Sequence, residues 1–118
     1  MADAAMFLGW GEVIHGREKK SLEVFGEVLE YYGRLQQEGK IESFEPVLLA
    51  PHGGDLDGFV LIRGDRQQLA AVRFSEEFER LLARGALVVS RLGVVPAYTG
   101  EELGTQMSMF QREVDDIT

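Results

Sequence analysis

Two runs, Met6-Phe7-Leu8 and Phe59-Val60-Leu61-Ile62, stay apolar over consecutive positions. A strand with one wet face alternates apolar and polar residues, whereas one that is apolar throughout has both faces covered. Each run leads into a segment of helical period, and that order restricts the fold. The first strand reads over Phe7–Ile14 and breaks at Gly16. Leu22, Phe25, Val28, Leu29, Tyr32 and Leu35 then recur at spacings of three and four up to Gly39, a C-cap residue. Residues 41–49 form a second strand, "APHGGDLDG" a turn-rich loop, and residues 59–64 a third strand. Asp65 and Ser75 each cap a helical piece, with a kink near Phe74. Residues 91–100 close as a fourth strand.

Strand, helix, strand, strand, helix, strand is the ferredoxin-like α+β order. Two right-handed crossovers joined by a hairpin give a four-stranded antiparallel sheet of order 4-1-3-2, with helices on one face. Proline cannot donate to a ladder, so Pro46 and Pro96 mark the second and fourth strands as edges. Residues 1–118 read as a single domain, with a core over about 6–100 and an acidic tail over 101–118. The tail is expected to hold a short helix through Met107–Val114 and a mobile end.

A net charge of −8 and a pI near 4.7 exclude a nucleic-acid or anionic-membrane partner, because phosphate recognition needs clustered Lys and Arg. No cysteine is present, which removes disulfides, thiolate metal sites and cysteine nucleophiles. The amino-terminal apolar run stops at Glu12, and no run approaches the roughly 20 residues of a membrane span. The expectation is a cytoplasmic protein with no cofactor and no bound metal.

Helices cover one sheet face only, so the apolar runs on the central strands require another cover. A second copy, sheet against sheet, supplies it and makes a homodimer. A tail wrapping that face is the alternative. The chain here resembles the dimeric α+β barrel superfamily over Met6 to Gly100. The resemblance is carried by the element order and by "GREKKSLEVFGEVLEYYGRLQQEGKIESFEPVLL" running into "GFVLIRGDRQQLAAVRFSEEFERLLARG". It is strongest to a bacterial branch of unassigned function. The superfamily also includes antibiotic-biosynthesis-type monooxygenases, muconolactone isomerases, EthD-like proteins, stress-responsive barrels and haem-binding chlorite dismutases. Their catalytic residues differ between branches, so the resemblance implies a fold and a pocket rather than a reaction.

Strand parity sorts the site candidates. Phe7, Gly9, Gly11 and Val13 share one face, which the glycines would open to Phe25 and Tyr32. Trp10 and Glu12 then face the partner, where Arg63, in phase with Phe59 and Leu61, is the expected partner of Glu12. A structural Glu12–Arg63 pair, or two solvated rim residues, is the plainer reading. His15 and His52 fall at one rim of the sheet, about two strand spacings or 10 Å apart, too far for one metal ion without loop movement. Arg17, Lys19 and Lys20 at a helix start suit a bound anion or a solvated first turn. Of the adjacent Tyr31 and Tyr32 only one is expected to face the core, Tyr98 is expected to offer its hydroxyl to the pocket, and Met107 and Met109 are expected to fill gaps rather than cap a pocket mouth.

These positions point to a homodimeric barrel that binds a small, mostly apolar organic molecule. Trp10, His52, Phe59 and Tyr98 are its expected contacts, and Arg63 would orient an acidic group where the ligand carries one. Were it an enzyme, a cofactor-independent monooxygenase or isomerase fits, with Glu12 or His15 moving a proton. The competing expectation is a non-catalytic dimerisation or sensing module whose barrel is filled by its own side chains.

Overall fold

The computed structural model describes residues 3–118. Its elements are β1 (Ala4–Trp10), α1 (Glu18–Gln37), β2 (Ser43–Leu48), β3 (Gly58–Gly64), α2 (Arg66–Arg73), α3 (Glu76–Ala86), β4 (Gly93–Ala97) and α4 (Gly100–Ile117). The strands pair antiparallel in the order β2-β3-β1-β4, with Pro46 and Pro96 on the two edges. This is the ferredoxin-like fold expected from the element order.

Local chemistry sets the helix boundaries. Gly39, at φ +74, lies just past the end of α1. The Asp65 carboxylate accepts from the Gln68 amide at 3.0 Å and starts α2. Ser75 Oγ accepts from the Phe78 amide at 3.2 Å and donates to the Val72 carbonyl at 2.7 Å. One hydroxyl thus ends α2 and begins α3, at the expected kink.

Met6, Leu8, Val60 and Ile62 point from the two central strands into the core with Tyr31, Tyr32, Leu35, Leu69, Val72 and Phe78. Val60 and Ile62 are wholly inaccessible, and burial of each contributes about 1.5–3 kcal/mol. The opposite sheet face carries Phe7, Phe59, Leu61, Arg63 and Val95, and no helix covers it. Phe7 and Phe59 stack there with ring centroids 5.2 Å apart.

Several expectations are corrected. The first strand starts at Ala4 and leaves the main ladder after Trp10, whose carbonyl accepts from the Asp57 amide at 2.8 Å. The next amide, that of Gly11, donates to the Ser90 carbonyl at 2.8 Å, and an isolated bridge joins Val13 to Val89. The two faces of β1 are also exchanged: Leu8 and Trp10 face the helices, and Phe7 and Gly9 the open side. A Cβ on Gly9 would lie 2.5 Å from Phe7 Cε1, so Gly9 admits the neighbouring phenyl ring rather than helix side chains. Tyr31 and Tyr32 are both buried, because Tyr31 turns toward Phe78 and Tyr32 toward Phe44. The tail is helical through Ile117 and does not wrap the open sheet face. Met107 and Met109 are exposed on it rather than filling gaps.

Candidate functional site

A crevice of about 260 Å3 lies between the sheet and the pair α1 and α3. Its helical walls come from the apolar stripes of those helices: Val24, Phe25 and Val28 from α1, Phe78, Leu81 and Leu82 from α3. The sheet gives Leu8 and Trp10, and the segment from Val88 to Leu92 closes one end. Leu22 and Leu48 line it while 74% and 68% exposed, which places them at the mouth. Tyr31, Tyr32 and Phe78 are buried and form the floor.

Trp10 is set by its surroundings on both sides. Its ring meets Phe25 edge-on with centroids 5.8 Å apart, a favoured aromatic geometry. Gly58 stands opposite Trp10 in the ladder and leaves room for the indole. Outside the crevice, α1 and α3 are tied by ion pairs. Arg84 grips Glu27 bidentately at 2.8 and 2.9 Å, and Arg34 donates to Glu77 at 2.5 Å. Such exposed pairs contribute little stability each, and they bridge the two helices that wall the crevice.

No charged residue lines the crevice. Its titratable groups are the phenols of Tyr31 and Tyr32. Burial raises Tyr31 above the ordinary phenol value, with the Ser75 hydroxyl opposing that shift. Burial, then the neighbouring Tyr31, raises Tyr32 far more. Both phenols are therefore neutral hydrogen-bonding groups at neutral pH and cannot act as bases there. Among the described residues, no group of three His, Asp or Glu is placed to hold a metal ion. Among the described residues, no helix is long and apolar enough to cross a membrane.

The structure disperses the expected site residues. Trp10 is in the crevice, with Phe25, Leu81 and Leu82, which the sequence reading left as helix packing. Phe59 and Arg63 are on the open sheet face, and Arg63 Nη1 is 4.0 Å from Glu45. The expected Glu12–Arg63 pair is absent: Glu12 lies beyond the end of β1, and its carboxylate is 3.8 Å from Arg91 Nη2. His15 projects fully into solvent, 3.8 Å from Glu18. His52 braces its own hairpin, because Nδ1 accepts from the Gly54 amide at 3.1 Å, leaving Nε2–H to donate to the Leu56 carbonyl at 2.8 Å. Tyr98 follows β4 and lines a separate groove with α4. Arg17 directs its guanidinium to the Leu87 carbonyl at 2.5 Å, and Lys20 pairs with Glu23.

Comparison with solved structures places this geometry. A dimeric ferredoxin-like protein of unknown function from Jannaschia sp. superposes with a TM-score of 0.63 at 12% identity, over 81% of this chain and 99% of that one. A second dimeric protein of unknown function with this fold, from Bacteroides fragilis, gives 0.58 at 11% identity over 80% and 94%. SnoaB, a cofactor-independent oxygenase from Streptomyces nogalater, gives 0.52 at 18% identity over 84% and 97%. The chain has the ferredoxin-like fold of these neighbours. At these identities the likeness concerns the fold alone. No protein-family model and no curated protein matches the sequence.

Proposed function

We propose that this chain binds a small, neutral, ring-containing molecule in the crevice between α1, α3 and the sheet, as a homodimer formed through the open sheet face. The crevice lining carries the proposal, because it is apolar, partly aromatic and free of charge. A cavity of about 150 Å3 holds one benzene ring, so 260 Å3 suits one or two rings. An anionic ligand would lie there without a cation, which argues for neutral compounds.

Oxygenation or isomerisation without a cofactor would need a base beside the ligand to take up its proton, and no carboxylate or imidazole lines the crevice. Glu12 and His15 flank the wall residue Val13 and Ile14 but do not line the crevice. The reading of a barrel filled by its own side chains is favoured on the other side of the sheet, where the Phe7–Phe59 stack occupies the open face. Ligand space and dimer surface then lie on opposite sides of one sheet.

Trp10 is the only tryptophan and sits in the wall, so its emission reports binding. Titration with naphthalene is expected to change that emission saturably, with naphthalene-2-carboxylate weaker. Val28→Phe fills the crevice and is expected to abolish the response, while Glu12→Gln and His15→Asn preserve it. A folded wild-type protein with no saturable response to naphthalene would overturn the proposal.

A further inference from the structure

α4 carries Leu103, Met107, Phe110, Val114 and Ile117, separated by four, three, four and three positions. At about 100° per residue these five fall in a stripe roughly 80° wide, and Met109 stands apart, about 80° beyond its edge. A helix lying on a sheet or a globular core presents a wider apolar face, of about 100° or more. Strict heptad spacing is instead the seam by which one helix meets another.

Within the chain that seam is largely open, its residues Leu103, Met107 and Phe110 bordering the groove they share with Tyr98. No residue of α4 is buried, and Leu103, Met107 and Phe110 are 50%, 61% and 66% exposed. The helix is anchored at its first turn, where Glu102 pairs with Arg66. The radius of gyration is 16.1 Å, against about 13.5 Å for a compact chain of this length. Among the described residues, α4 is the one helix that buries no residue, which accords with that excess.

We propose that α4 pairs along this seam with α4 of a second copy, within the homodimer inferred above and resting on that reading. Two features of the chain select this occupant. The open face spans four strands, about 23 Å by 19 Å or roughly 440 Å2 in projection. A stable interface buries about 800 Å2 of accessible surface per partner, so a sheet face of this footprint makes a small interface that a second apolar surface on the same chain would enlarge. The seam is also self-compatible in charge. Its flanking residues Gly104, Gln106 and Gln111 are uncharged. Glu113, the flanking acid, meets Gln106 of the second copy if the helices run antiparallel and Thr118 if they run parallel. An acidic chain thereby meets itself without like charges opposed. In either direction Phe110, the central seam residue, meets its own counterpart on the two-fold axis.

The chain lacks cysteine, so a single introduced thiol gives an unambiguous test. Full-length Phe110→Cys, oxidised at micromolar concentration, is expected to form a disulfide-linked species that sediments as a dimer. Thr105→Cys, on the opposite side of α4, is expected not to cross-link. A Phe110→Cys protein that sediments as a dimer without cross-linking would overturn the helix pairing and leave the sheet-mediated dimer standing. Equal cross-linking of Thr105→Cys would overturn the seam. A wild-type monomer at the same concentration would remove the dimer and the pairing together.

Discussion

Trp10 and Gly58 face each other across β1 and β3, and the indole occupies the space that a side chain at 58 would need. A Cβ on Gly58 would lie 2.6 Å from Trp10 Cζ2 and 2.9 Å from the Val47 carbonyl oxygen. The second neighbour is backbone of β2 and cannot move aside without disturbing the edge pairing. Gly58→Ala is therefore expected to destabilise the protein by about 1–3 kcal/mol, as overpacking does. Calorimetry should show a Tm lower by several degrees, and Trp10 emission should shift as the ring is displaced. An unchanged Tm would show that the indole is not wedged against the hairpin.

The backbone carries its own strain at Arg91, which has φ +52 without being glycine. A left-handed conformation costs a side-chain-bearing residue about 1–2 kcal/mol. The guanidinium gives little back: it lies 3.8 Å from Glu12 and 3.9 Å from Asp55, and all three side chains are at least half exposed. Arg91→Gly is expected to raise stability by about 0.5–1 kcal/mol, after allowing for the freer unfolded chain. Urea denaturation measures this directly, and a loss of stability would assign Arg91 a stronger electrostatic role than its distances imply.

The architecture was legible because it depends on order and punctuation. Ser75 announced the break between α2 and α3 by chemistry that is local in sequence, and Pro46 and Pro96 announced the edges by lacking a donor. The placement of Trp10 was not legible, since parity tells which residues share a face but not which face is covered. Gly9 was misassigned for the same reason: the space it leaves is filled by Phe7, two residues away, and not by a helix. The Glu12–Arg63 pair assumed that β1 continued to Ile14. Pairing of Gly11 and Val13 with the segment before β4 ends that continuation, and only a long-range contact decides it. Val88 and Val89, an apolar pair outside any assigned strand, were the available signal.

Alkaline pH should act through the two floor tyrosines. Burial raises both phenols above their ordinary value of 10.0, Tyr32 the more strongly. The folded state thus holds these protons more tightly than the unfolded chain does. Their contribution is fully present below pH of about 10 and is lost as pH rises toward the folded values, because only the unfolded chain ionises there. Unfolding free energy is expected to fall steeply above about pH 10, with phenolate absorbance from Tyr31 and Tyr32 appearing only as the protein unfolds. Tyr32→Phe should flatten that fall, and a pH dependence identical to wild type would show that the phenol is solvated.

Leu61 provides the sharpest test of the open sheet face. It lies opposite Phe7 on one side and Glu45 on the other, at the middle of the apolar patch. A carboxylate there would face Glu45 across the ladder and would have to be desolvated under a packed second sheet, at a cost of several kcal/mol per ion. In the isolated chain the same side chain is only partly covered, so folding loses far less than association. Leu61→Glu is expected to sediment as a folded monomer at micromolar concentration while retaining the Trp10 response to naphthalene, because the crevice opens on the other side of the sheet. A variant that stays dimeric would place the interface elsewhere. One that becomes monomeric and loses the response would make the crevice dependent on the second copy.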